Sequence, residues 1–233
     1  MRSLRNDKRT ALLATGFLLA AVSLPFVAGF ALRGQTPSAG LSDKTMSMDT
    51  LEGTSAPAHS VASVPRACAA AMQRGRDDDN RATTDLEVLM ARGLSLPIAG
   101  IRKEQLVDSF SDGRGARKHE ALDIQAPRDT PVVAVDDGCV VKQFKSVAGG
   151  ITLYQFDPEG RFVYYYAHLE RYADGVNEGT VVKRGELLGY VGTSGNAPPN
   201  TPHLHFAIFR LGPEKKWWQG TPVNPFKVFS GQR

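Results

Sequence analysis

Read in order, the apolar and polar positions of this chain change character along its length. An uncharged apolar run extends from Ala11 to Leu32, close to the ~20 residues that a membrane-spanning helix needs. From Gly34 to Pro65 the residues are mostly Ser, Thr, Ala, Gly and Pro and no period is sustained, which predicts a flexible tether over 34–65. Residues 66–94 have a helix-compatible composition. Within them Thr84 precedes Asp-Leu-Glu-Val-Leu-Met-Ala-Arg and Gly93 follows it, a cap and a stop. After Pro97 short β-branched and aromatic runs are separated by turn signals. Pro131–Val135, Asp136-Asp137-Gly138 and Cys139–Phe144 predict one hairpin. Ile151–Phe156 and Arg161–Ala167, either side of Asp157-Pro158-Glu159-Gly160, predict another.

This spacing predicts a mainly β domain over residues 95–233, an antiparallel β-sandwich or partly closed barrel with a groove on one sheet. Alternation puts Phe162, Tyr164, Tyr166 and His168 on one face. Tyr164 and Tyr166 then either line the groove or pack inside. In His203-Leu-His205-Phe-Ala-Ile-Phe the same alternation turns Leu204, Phe206 and Ile208 to a core and both imidazoles the other way.

Charge matters once it is located. The 233 residues carry a net charge of +4, and residues 1–33 hold Arg2, Arg5, Lys8, Arg9 and Arg33 against Asp7 alone. The remainder balances at 23 basic and 23 acidic residues, so the basicity is no argument for nucleic-acid binding. Four basic residues before the apolar run and Arg33 after it favour an N-terminus inside and an exported remainder. The run exceeds the ~7 to 15 residues of a signal-peptide core. That favours an inner-membrane anchor with the domain in the periplasm or cell-wall space, although small residues around Val27-Ala-Gly-Phe-Ala31 also allow cleavage.

The chemistry lies in three clusters: His119-Glu-Ala-Leu-Asp123, Tyr166-Ala-His168-Leu and His203-Leu-His205-Phe, which hold four of the five histidines. Catalytic zinc takes three ligands from His and Asp/Glu and keeps a position for water. In His-x-His one imidazole can bind metal while the other exchanges protons. His119 and Asp123 are four apart, but the two prolines and strand pattern that follow argue against a helical zinc motif. Glu120 therefore reads as a neighbour of the ligands rather than the base.

In this order the clusters resemble the lysostaphin-type zinc metalloendopeptidases, metallopeptidase family twenty-three, which cut the peptide part of peptidoglycan. Gly149-Gly150-Ile151, Tyr164-Tyr-Tyr-Ala-His168-Leu, Lys183-Arg-Gly185 through Gly192-Thr-Ser-Gly195-Asn, and Pro202-His-Leu-His-Phe206 extend the resemblance over residues 95–229. It implies a duplicated-hybrid-motif-like fold, with Zn2+ held by His119, Asp123 and His205 and catalysis by His168 and His203. Ala121 stands where many members have Gly. The alternative implied is a catalytically inactive wall-binding or hydrolase-activating relative. No protein partner is legible.

Other features carry less. Asp77-Asp-Asp79 lacks the spacing of a calcium loop and reads as a solvated turn. His59 has no neighbouring ligand. Asp112-Gly-Arg-Gly115 and Gly192-Thr-Ser-Gly195 read as loops bordering the site, and Trp217-Trp218 as packing under a loop or as a stacking surface. Cys68 and Cys139 have no metal pattern. Export permits a disulfide without fixing their separation. If the apolar run is an anchor, fractionation will leave the mature protein with membranes, whereas a soluble form beginning near Phe30 identifies a cleaved signal.

Overall fold

The computed structural model describes residues 46–47, 64–72 and 84–231. The expected membrane segment, most of the tether, His59 and Asp77–Asp79 lie outside the described residues. Among the described residues no helix is long and apolar enough to cross a membrane.

The strands are β1 Met46–Ser47, β2 Gly113–Arg114, β3 Arg117–Lys118, β4 Leu122–Gln125, β5 Pro131–Val133, β6 Gly138–Ser146, β7 Gly150–Phe156, β8 Phe162–Tyr172, β9 Val181–Val182, β10 Leu187–Val191, β11 His203–Leu211 and β12 Gln219–Val223. The helices are α1 Arg66–Met72, α2 Asp85–Arg92 and α3 Pro225–Ser230. Thr84 accepts from the Glu87 backbone N–H while the Glu87 side chain accepts from that of Thr84, and Gly93 ends α2 in the left-handed region. These contacts satisfy amides and carbonyls that a helix end leaves unpaired.

β2 and β3 form a separate hairpin, and the other ten strands form one antiparallel, branched sheet. Its main path runs β1-β12-β11-β8-β7-β6-β9, with β4 also on β11 and β10 joining β8 to β5. It is not a closed barrel, and its strands share one hydrogen-bonded network instead of forming two independent sheets. The branch arises on β8. Residues 162–167 of that strand pair with β11, whereas Leu169, Arg171 and Tyr172 pair with β10.

The sheet separates two apolar clusters. Phe162, Tyr164, Tyr166, Leu204, Phe206 and Ile208 belong to the larger, with Val132, Leu188 and Val191 of the branch. Val163, Tyr165, Ala167, Ala207 and Phe209 belong to the other, with Tyr154, Trp217 and both cysteines. Tyr164 and Tyr166 are therefore packed aromatics, not groove lining. Their phenols find partners inside: Tyr164 donates to Asp136 at 3.0 Å, and Tyr166 donates to Gln155 at 2.8 Å while accepting from the Val135 N–H at 3.1 Å. A buried hydroxyl needs such a partner.

The hairpin expected at Asp136-Asp137-Gly138 does not form. β5 pairs with β10, and β6 pairs with β7 and β9. Asp136 is buried and receives hydrogen bonds from Tyr164, Arg92 and Arg184, so it anchors α2 to the sheet instead of facing water in a turn. The hairpin of β7 and β8 does form, with Gly160 at φ +63° in its turn.

Cys68 on α1 is bonded to Cys139 on β6, with Cα atoms 5.3 Å apart and a sequence separation of 71. Closing a loop of that size restricts the unfolded chain, an effect worth about 2–4 kcal/mol. Urea unfolding of the oxidised protein against the Cys68→Ala/Cys139→Ala double variant should show a loss of that order. Equal midpoints would mean that the bond adds nothing to stability.

Candidate metal centre

The site is built on the centre of β11. In register, His205 stands opposite Asp123 of β4 on one side and Ala167 of β8 on the other. The alternation predicted for this strand holds: Leu204, Phe206 and Ile208 are fully buried in the larger cluster, and the two imidazoles point away from it. His119 precedes β4 and reaches the same place.

His119 Nε2, Asp123 Oδ1 and His205 Nδ1 lie 3.0–3.1 Å apart in every pair. A tetrahedral zinc with bonds of about 2.0–2.1 Å would set its ligand atoms about 3.3 Å apart, so this triangle is close to one face of such a site. Donor chemistry points the same way. His119 Nδ1 lies 3.0 Å from the Ser109 carbonyl, so that nitrogen carries the proton and Nε2 presents a lone pair. That lone pair faces a carboxylate oxygen at 3.1 Å. Two acceptors so placed require a cation or an added proton between them, and a metal ion fits the donor set.

Burial alone would raise the Asp123 carboxyl, yet the His119 and His205 rings, each with a nitrogen within 3.1 Å of it, hold it well below the ordinary range. Burial pushes His205 down, against the pull of Asp123. His119, Asp123 and His205 together form a group able to hold a metal ion.

His168 and His203 complete the cluster, with ring centroids 4.9 Å apart, and His168 is 5.7 Å from the His205 ring. His203 Nε2 stands 4.0 Å from Asp123 Oδ1. Each has its Nδ1 against a backbone carbonyl, Ser194 at 2.8 Å for His168 and Thr201 at 2.9 Å for His203. Nε2 of each ring is thereby left with its lone pair. Burial first, and then the His205 charge, push His168 down to about 4, so at neutral pH it is a base.

His168 reaches this face by breaking the alternation of β8. Continued pleating would turn it into the larger cluster beside Tyr166. Instead its backbone lies at φ +59°, a conformation costly for a residue with a Cβ, and the pairing with β7 shifts register between Ile151 and Leu153. The Gly149 carbonyl accepts from the His168 N–H at 2.8 Å. Ser194 ties the surrounding loops, accepting from the Ile151 N–H at 2.9 Å and donating to the Leu169 carbonyl at 2.6 Å.

Sequence reasoning missed Tyr165, whose ring is 5.9 Å from His205. As the odd-numbered neighbour of two core tyrosines it is the one that faces the site. It also missed Ser109, Ser194 and Thr201. These support the imidazoles through their carbonyls, which every residue has, so no signal marked Ser109 or Thr201, and Ser194 was legible only as part of the Gly192-Thr-Ser-Gly195 loop bordering the site.

Residues 117–225 match the sequence model of Peptidase family M23. Over 117 residues, 47% of this chain and 36% of the relative, the chain is 33% identical to the L-Ala–D-Glu endopeptidase of Bacillus subtilis. It is 34% identical over 145 residues, 62% of this chain and 29% of the relative, to the DD-carboxypeptidase/endopeptidase Mpg of Neisseria meningitidis. A solved structure titled as a putative glycyl-glycine endopeptidase lytM from Ruminococcus gnavus is 32% identical, with a TM-score of 0.45 over 55% of each chain. The chain spans about a third of the length of these two named relatives. Its residues 117–225 are similar to a peptidase domain of family M23.

The loop contact behind His168 is tight. A Cβ on Gly150, which has φ +67°, would fall 2.3 Å from the Ser194 backbone carbon. Gly185, at φ +83°, has open space there. Gly185→Ala should therefore cost only the left-handed penalty of about 1–2 kcal/mol. Gly150→Ala should cost clearly more in urea unfolding, and equal losses would show that the Ser194 contact is not tight.

Proposed function

We propose that this chain is a zinc-dependent endopeptidase hydrolysing peptide bonds in peptidoglycan stems or cross-bridges. The observation that carries the reading is the triangle of His119 Nε2, Asp123 Oδ1 and His205 Nδ1 with two further imidazoles beside it. In this reading His119, Asp123 and His205 hold the zinc. The bound ion supplies Lewis acidity towards the scissile carbonyl and lowers the pKa of the attacking water to about 7.

The remaining roles belong to the protein. His168 and His203 are fixed through Nδ1 and offer Nε2, the arrangement needed to take a proton from the attacking water and return it to the leaving amine nitrogen. Both are largely buried, at 7% and 8% exposed, and for His168 burial favours the neutral, proton-accepting form. The names of the two relatives, L-Ala–D-Glu and DD-carboxypeptidase/endopeptidase, support bonds next to D-residues as the substrate class. Cell-wall substrate agrees with export, and the Ala11–Leu32 run would tether the domain at the inner membrane.

Purified protein incubated with peptidoglycan, with and without chelator, tests the activity: new amino termini should form and should disappear with the metal. Zinc binding without cleavage would favour the inactive, wall-binding alternative. The roles separate by mutation. His119→Ala, Asp123→Ala and His205→Ala should each lose zinc together with activity, because three ligands leave no redundancy. His168→Ala and His203→Ala should keep zinc, measured by metal analysis, and lose about 10²- to 10⁴-fold in turnover. Full zinc in His119→Ala, or loss of zinc in His203→Ala, would reassign the ligands.

A further inference from the structure

Only one oxygen of Asp123 faces the imidazoles. Oδ1 lies 3.1 Å from His119 Nε2 and 3.0 Å from His205 Nδ1. The other, Oδ2, accepts a hydrogen bond from Arg114 Nη2 at 3.0 Å. Arg114 lies in the Asp112-Gly-Arg-Gly115 run, a segment that the peptidase reading leaves without a task.

The local structure explains how this arginine is delivered. β2 and β3 pair Gly113 with Lys118 and Arg114 with Arg117, turning at Gly115 with φ +64°. β3 leads directly to His119, whose N–H donates to the Asp112 carbonyl at 2.9 Å, and the Glu120 N–H donates to the Phe110 carbonyl at 2.8 Å. One short ladder therefore carries both Arg114 and His119, and Arg114 reaches Asp123 across nine positions of sequence.

We propose that Arg114 is a positioning residue of the metal centre: its guanidinium occupies Asp123 Oδ2 so that the carboxylate offers Oδ1 alone to the ion. The inference rests on the reading of His119, Asp123 and His205 as metal ligands. A carboxylate without such a partner can rotate, or offer both oxygens. Arginine suits the task because it is always charged, has donors but no lone pair, and so cannot itself become a ligand. Its side chain is 53% exposed, so solvent screens its net attraction and its effect is orientation. Partners that orient a ligand in this way are commonly worth 10- to 100-fold in metal affinity. The exposure places Arg114 at the lower end.

Zinc affinity of the full chain, measured by competition with a chromophoric chelator, tests this without any substrate. Arg114→Ala should bind zinc about 10-fold more weakly, while the melting temperature of the metal-free protein stays unchanged. Arg114→Lys should recover part of the loss, since it restores one donor but not the planar fork. Undiminished zinc affinity in Arg114→Ala would overturn the proposal, as would a raised KM with unchanged zinc affinity, which would make Arg114 a substrate-binding group. If the unaltered chain binds no zinc, the metal reading falls and this inference with it. If it binds zinc and Arg114→Ala binds equally well, only this inference fails.

Discussion

The register of β11 between β4 and β8 is the constraint on which the site depends. It sets His205 beside Asp123 and Ala167 and turns Leu204, Phe206 and Ile208 into the larger apolar cluster. Side chains on a strand alternate, so a slip by one residue would turn both imidazoles into the larger apolar cluster and take three large apolar groups out of it. The core thus enforces the register, and the register brings together Asp123 and His205, which are 82 positions apart. Bringing Asp123 and His205 together needs no separate folding energy. It borrows the burial of the opposite face.

Much of this was legible because strand alternation is a local rule. The outward pair His203 and His205, their inward neighbours, and the capped helix from Thr84 to Gly93 all follow from residues within a few positions of one another. The rule failed where tertiary contacts override it. His168 would belong with Tyr164 and Tyr166 by alternation, but its positive φ, with the register shift of the adjoining strand, brings it to the metal side. Asp136-Asp137-Gly138 has the composition of a hairpin turn. Asp136 is instead claimed by Arg92, Arg184 and Tyr164, from three distant segments that no local window includes.

The polar supports show the same division between local and distant information. Ser109, Ser194 and Thr201 orient His119, His168 and His203 through backbone carbonyls. Their sequence identity matters little to that bond, but the path of the chain matters entirely. The loops bordering the site are therefore part of its acid and base apparatus: they decide which nitrogen of each ring bears the proton.

The covalent link from α1 to β6 has a mechanical meaning. Tension that reaches α1 at Cys68 passes through the sulfur bridge to Cys139 and into β6. The segment between the two cysteines, which contains His119 and Asp123, is a closed loop outside that load path. That covalent path reaches the sheet without running through the backbone of the segment that bears two of the three candidate ligands.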